Sequence, residues 1–103
     1  LGIIAPDHRL YNDTDEITIK KPVSYSVIKH GIIGLTKYTA THYGSDVRCN
    51  SLVPGGVFNG QHSSFLEKIK TRIPLKRMAQ KNEYNEALIF LLSDASKYMT
   101  GQN

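Results

Sequence analysis

Residues 46–53 (Asp-Val-Arg-Cys-Asn-Ser-Leu-Val) read as one apolar β-strand, cut short by Pro54-Gly55-Gly56. A strand cannot satisfy its own backbone N–H and C=O groups, and one this apolar belongs in an interior. It therefore needs strands on its flanks, and no second full strand is found in the chain. The order along the sequence is loop, helix, strand, loop, helix, helix. That order fits an α/β protein, yet the partners of its strand are missing. The chain is expected to be a piece of a longer protein.

The rest of the chain supports a folded domain. Hydrophobic residues make up 40% and charged residues 21% of 103, close to soluble globular values, which argues against disorder or low-complexity arrays. No apolar run reaches the length of about 18–20 residues that spans a membrane. The single cysteine, Cys49, excludes an internal disulfide and fits a reducing, cytoplasmic setting. His8, His30, His42 and His62 show no paired metal-ligand spacing, so no metal site is read. The net charge is +4, but Lys and Arg are spread along the chain without an aromatic–basic cluster. A solvated surface accounts for it better than nucleic-acid binding.

Residues 1–5 read as the end of a buried strand and its turn. Pro6 to Pro22 is a long polar loop rich in turn formers, with a short extended piece at 17–19. From Ser24 to Tyr43 the spacing predicts a helix with Val27, Ile28, Ile32, Leu35, Tyr38 and Thr39 as an apolar stripe. Gly44 ends it, and Ser24 is its expected N-cap. Gly31 and Gly34 inside the helix suggest close approach of another backbone. Cys49 alternates with Val47 and is expected to be buried. Gln61 to Arg72 predicts a short amphipathic helix with Phe65, Leu66 and Ile69 inward, broken by Pro74. Asn82 is expected to cap a last helix running to Ser93, with Glu83 and Glu86 in its early turns.

Two features carry chemistry. The first is Tyr25-Ser26-Val27-Ile28-Lys29, a Tyr and a Lys four apart on one helix face. A free phenol titrates near about 10 and is a poor base at neutral pH; a neighbouring ammonium favours its ionised form. Such a pair can exchange a proton with a substrate hydroxyl or carbonyl. On spacing alone, an exposed Tyr–Lys pair on an amphipathic helix is the commoner meaning. The second feature is the break from strand to loop at Pro54-Gly55-Gly56. Ligands of open α/β sheets bind beyond the carboxyl ends of strands, and glycines there let backbone approach them. An ordinary strand-ending turn would look the same.

Together these features resemble the C-terminal part of a short-chain dehydrogenase/reductase. Tyr25 to Lys29 is similar to the family's Tyr-x-x-x-Lys motif, and 47–56 to its Val-Arg-Val-Asn-x-x-x-Pro-Gly segment. The stretch 73–79 resembles the part after the substrate loop, and 87–102 the closing helix and lead-in to the last strand. The matches cover nearly the whole chain. They imply the C-terminal part of a Rossmann-like, doubly wound parallel sheet, incomplete as given, with residues 1–103 one fragment of a single domain. They imply an oxidoreductase using NAD or NADP, with a small-molecule hydroxyl or carbonyl substrate, such as a sugar derivative. Tyr25 would be the acid/base. Lys29 would hold the nicotinamide ribose and favour the ionised Tyr25. Pro54, Gly55 and Val57 would line the nicotinamide. Asn59 stands about where many members carry Thr, which is a departure. Gln61 to Arg72 would be the mobile substrate lid. Ile33, Tyr38 and Thr41 on helix 24–43 would serve a homo-oligomer.

The same resemblance marks what is absent. The glycine-rich nucleotide fingerprint and the catalytic Ser have no counterpart here, so the isolated chain is expected to be inactive. The alternative reading is a non-catalytic interaction or oligomerisation module. The long loop from Ala5, and 54–61, are similar to members found with bacterial surface-polysaccharide and flagellin-glycan biosynthesis. Asp7, His8 and Arg9 would then be polar groups near a hydroxylated substrate.

Overall fold

A computed structural model describes residues 3–13 and 18–103. The expected strand ends at 1–2 and 17 lie outside those residues. Three α-helices follow one another: α1 (Val23–Tyr43), α2 (Ser63–Arg72) and α3 (Asn85–Leu92). Single turns of 3-10 helix precede α1 at His8–Tyr11 and follow α3 at Asp94–Ser96. No described helix is long and apolar enough to cross a membrane.

The strand expected at 46–53 does not form among the described residues. β pairing there is reduced to an isolated parallel bridge between Val57 and Ala79. Residues 49–51 find partial partners in the chain end: Gly101 N donates to Cys49 O at 2.7 Å and Ser51 N to Gln102 O at 2.9 Å. The two segments run in the same sense, but their register slips by one residue, so no regular ladder develops. Ladder neighbours for the rest of 46–53 are lacking, and Val47 is exposed while Cys49 is only half-buried.

What holds this region is Arg48. Its Nη1 donates to Ser96 O at 2.9 Å, Ser96 Oγ at 3.0 Å and Met99 O at 3.3 Å. Its Nη2 donates to Leu91 O at 3.0 Å and Ser93 O at 3.2 Å. The guanidinium thus satisfies carbonyls at the end of α3, where a cation also suits the helix dipole. Ser96 is 1% exposed, and its hydroxyl donates to Phe90 O at 2.8 Å while accepting from Arg48. Asn50 adds a second tie, with Nδ2 donating to Met99 O at 2.9 Å and Oδ1 accepting from Gln102 N at 3.1 Å.

Helix α1 begins one residue earlier than expected. Pro22 occupies the cap position with φ −56°, no side chain caps the helix, and Ser24 lies in its first turn. The buried line on α1 is Thr36 and Ala40 rather than the larger apolar side chains. Ala40 faces Gly101, where an added Cβ would sit 3.4 Å from the Ala40 Cβ; Gly101 also has φ +72°. Small residues on both sides permit this approach. Val27, Ile28, Leu35 and Tyr38 remain exposed, because the described residues place nothing over them. For the same reason Gly31 and Gly34 meet no neighbour, and the expected close backbone approach is not found.

Helix α2 matches its expected span within two residues, with Phe65, Leu66 and Ile69 half-buried. The His62 side chain caps it by accepting from Ser64 N. Helix α3 starts at Asn85, with Tyr84 rather than Asn82 at the cap position. The reason is Glu83, whose carboxylate is drawn away from the helix end. Its Oε1 and Oε2 accept from Arg77 Nη2 and Nη1 at 2.5 Å each, and Oε2 from Gln80 N at 2.6 Å. Residues 81–84 form turns ahead of the helix as a result.

Arg48→Ala should lower stability by about 2–4 kcal/mol, because the buried Ser96 and the part-buried carbonyls of Leu91, Ser93 and Met99 lose their donor, at about 1 kcal/mol each. Arg48→Lys should recover only part of it, since an ammonium lacks the planar fork. Chemical denaturation midpoints measure both. The Arg77 guanidinium, and next the Gln80 N–H, hold the Glu83 carboxyl down to about 2 from its usual 4.5. A carboxyl depressed in the folded state adds stability above its unfolded value and loses it as pH falls toward the folded one. The stability difference between wild type and Glu83→Gln should thus be constant above pH 4.5 and disappear toward pH 2. Thermal unfolding across that range tests it.

Candidate active site

The first turns of α1 carry Tyr25 and Lys29. The Lys29 Nζ lies 5.6 Å from the centroid of the Tyr25 ring, within cation–π range. A second ammonium, that of Lys21, lies 5.0 Å from the same ring and 5.1 Å from that of Tyr11. Lys21 escaped sequence reasoning, although its place four residues before Tyr25 was the available signal.

The loop 53–57 stands against this face of α1. Segment 78–84 holds it there. Gly55 N donates to the Tyr84 hydroxyl at 3.0 Å, Ala79 N donates to Gly56 O at 2.9 Å and Phe58 N to Ala79 O at 2.8 Å. A Cβ at Gly56 would come 3.0 Å from Met78 Cε, so a side chain there would push the flexible end of Met78 aside. Tyr84 carried no signal in the sequence, because one hydroxyl reaching back across 29 residues leaves no local pattern.

Between α1 and the loop lies a cleft of about 250 Å³, lined by Tyr25, Lys29, Ile32, Ile33 and residues 51–55. Ser51 Oγ is buried and has no hydrogen-bond partner among the described residues. On the other side of Tyr25 lies a cleft of about 390 Å³, walled by residues of 4–11, α2 and Met78. Tyr25, Pro54 and Gly55 line both. The structure therefore brings Tyr25, Lys29, Pro54 and Gly55 together. Val57 pairs with Ala79 and does not line either cleft. Asn59 is exposed, its N–H held by Gln61 Oε1 at 2.7 Å.

The loop before α1 is built around Asn12. Its Nδ2 donates to His8 O at 2.8 Å and Ile19 O at 2.9 Å, and its Oδ1 accepts from Thr18 N at 3.0 Å and Ile19 N at 2.7 Å. Asn12 O also accepts from Lys68 Nζ on α2. Tyr11 packs on Phe65 with centroids 5.6 Å apart. His8 is engaged in the loop itself, its Nδ1 accepting from Lys21 N at 3.2 Å. Asp7 faces the larger cleft, whereas Arg9 points outward and pairs with Asp7 at 2.8 Å. Arg72 of α2 reaches Asp7 from the other side, also at 2.8 Å. Hydrogen bonds from Arg9 first, and from Arg72, hold the Asp7 carboxyl well below the usual carboxylate range.

A profile of the family described as Enoyl-(Acyl carrier protein) reductase matches residues 12–103. A flagellin modification protein A of Campylobacter coli is 37% identical over 99% of the chain. A solved short-chain dehydrogenase of Leptospira borgpetersenii superposes over 99% of the chain at 36% identity and a TM-score of 0.87. This chain belongs to the short-chain dehydrogenase/reductase family. A 3-oxoacyl-[acyl-carrier-protein] reductase of Thermotoga maritima is similar too, at 36% identity over 77% of the chain. The chain spans 39% of the Campylobacter protein, 34% of the Thermotoga one and 37% of the Leptospira one. Its backbone is that of the corresponding part of short-chain dehydrogenases, an α/β fold whose strands the described residues do not form by themselves.

Tyr84→Phe should free the Gly55 N–H and cost about 1 kcal/mol. Hydrogen exchange would report it as roughly fivefold faster exchange at the Gly55 amide.

Proposed function

We propose that the protein containing this segment is an NAD(P)-dependent oxidoreductase that interconverts an alcohol and a ketone or aldehyde. The observation that carries this reading is the position of Tyr25, whose ring forms a wall of both clefts. The smaller cleft suits part of a dinucleotide. Its walls at Ile32, Ile33 and Pro54 are apolar, Lys29 offers a cation, and Ser51 Oγ is an orphaned polar atom beside it. At about 250 Å³ it falls below the roughly 300–1,000 Å³ of whole-ligand pockets, in keeping with a site completed elsewhere in the protein. The solved Leptospira relative holds NAD+, and a solved 4-hydroxyisoleucine dehydrogenase, 26% identical with a TM-score of 0.75, holds NADH.

In this reading the bound nicotinamide supplies hydride chemistry. Tyr25 Oη holds the substrate oxygen and moves its proton. Lys29 supplies positive charge at the tyrosine and hydroxyl contacts at the cofactor ribose. Pro54 and Gly55 set the backbone wall, and Val57 and Asn59 continue the same loop beyond it. Residues 46–53 become a strand of a parallel sheet once their neighbours are present, and the segment alone is inactive. The reductase and dehydrogenase relatives support a small-molecule substrate with a hydroxyl or carbonyl group. The exposed apolar side chains of α1, with Tyr38 among them, support a homo-oligomer through that helix.

Tyr25→Phe in the complete protein should cut kcat by about 10²–10⁴-fold and leave NAD(P) affinity unchanged. Undiminished turnover would sink the assignment. Steady-state kinetics with a panel of alcohols, and cofactor fluorescence titration, measure the two quantities.

A further inference from the structure

The larger cleft has apolar walls, including Leu10, Phe65, Ile69 and Met78, and only two charged lining residues, Asp7 and Arg72. Asp7 is saturated. Its Oδ1 accepts from Arg9 Nε at 2.8 Å and from Arg9 N at 3.1 Å. Its Oδ2 accepts from Arg9 Nη2 at 3.0 Å and from Arg72 Nε at 2.8 Å. Arg72 commits Nη1 to Lys68 O at 2.8 Å and, at 3.4 Å, to Thr71 Oγ1. Its Nη2 donates to nothing among the described residues. Two guanidinium groups against one carboxylate leave one positive charge in excess. The ammonium groups of Lys21 and Lys29, over the Tyr25 ring, add to the positive field. Arg72 is solvent-exposed, and its free Nη2 edge offers an arriving anion a charge-assisted hydrogen bond.

We propose that the substrate is a hydroxy or oxo carboxylate with an apolar body, and that the open Nη2 edge of Arg72 receives its carboxylate. Asp7 fixes the plane of that guanidinium. One open guanidinium nitrogen suits a carboxylate oxygen better than a phosphate dianion, which needs several donors. The inference rests on the oxidoreductase reading, because Tyr25 must meet the hydroxyl of the same molecule. It makes Arg72 a specificity residue, and it explains why the lid helix ends in arginine at the cleft.

Calorimetric titration of the complete protein, with NAD+ or NADP+ bound, tests this without requiring turnover. The probes are short and medium straight-chain hydroxyalkanoates, their neutral amides, and phosphate monoesters of matched length. The best carboxylate should bind about tenfold or more tighter than its amide. Arg72→Gln should shrink that ratio to about twofold or less, while leaving amide binding in place. Asp7→Asn, which removes the competing carboxylate, should widen the ratio; a merely structural pair would weaken both ligands alike. Equal binding of acid and amide by the wild type, no binding of either, a tighter phosphate ester, or a ratio that survives Arg72→Gln would each overturn the proposal. Tyr25→Phe separates the two readings. It should cut turnover by the same factor of about 10²–10⁴ and leave the acid-to-amide ratio unchanged, so undiminished turnover refutes the role of Tyr25 while the ratio still judges Arg72.

Discussion

One guanidinium does the work that a sheet would do elsewhere. Arg48 binds the carbonyls of Leu91, Ser93, Ser96 and Met99 from a segment more than forty residues away in sequence. It thereby joins the stretch leading to Pro54-Gly55 to the end of α3. Because segment 78–84 in turn holds that loop, the position of the loop against Tyr25 depends on Arg48 at one end and Tyr84 at the other. Remove the first tie and the orphaned carbonyls must find water; remove the second and the loop keeps only its backbone bonds to Ala79.

Apolar burial contributes less than the sequence composition suggests. Among the described residues only Leu10, Ala40 and Met78 are buried apolar side chains. Each sits at a junction: Leu10 between the first loop and α2, Ala40 between α1 and Gly101, Met78 beneath Gly56. The large side chains of α1 and α3, such as Leu35 and Ile89, stay exposed. Specific polar ties therefore define the arrangement, and a larger core would form only against surfaces beyond these residues.

That division explains what was legible in the sequence. The helices were, because their apolar spacing and stops are local. The Tyr25–Lys29 pair and the Pro54–Gly55 turn were legible as motifs, and the fold does bring them to one cleft. The strand read at 46–53 does not form among the described residues, because pairing is a property of neighbours, and the sequence itself offers none. The start of α3 was misplaced because Glu83 bonds backward to Arg77 and Gln80, a choice its helix-like position conceals. Arg48, Tyr84 and Arg72 act over long separations, and a single polar residue reaching that far leaves no periodicity to read.

The ties between the first loop and α2 have a consequence for the wall of the larger cleft. Lys68 bonds Asn12 and Asp13, Arg72 bonds Asp7, and Tyr11 packs against Phe65. The helix and the loop are thus one wall rather than two. Part of their contact is aromatic, but the rest is made of solvent-facing ion pairs, which mobile ions weaken within a Debye length of about 8–10 Å. The grip of the loop on the helix thereby becomes sensitive to the ionic strength of the surroundings.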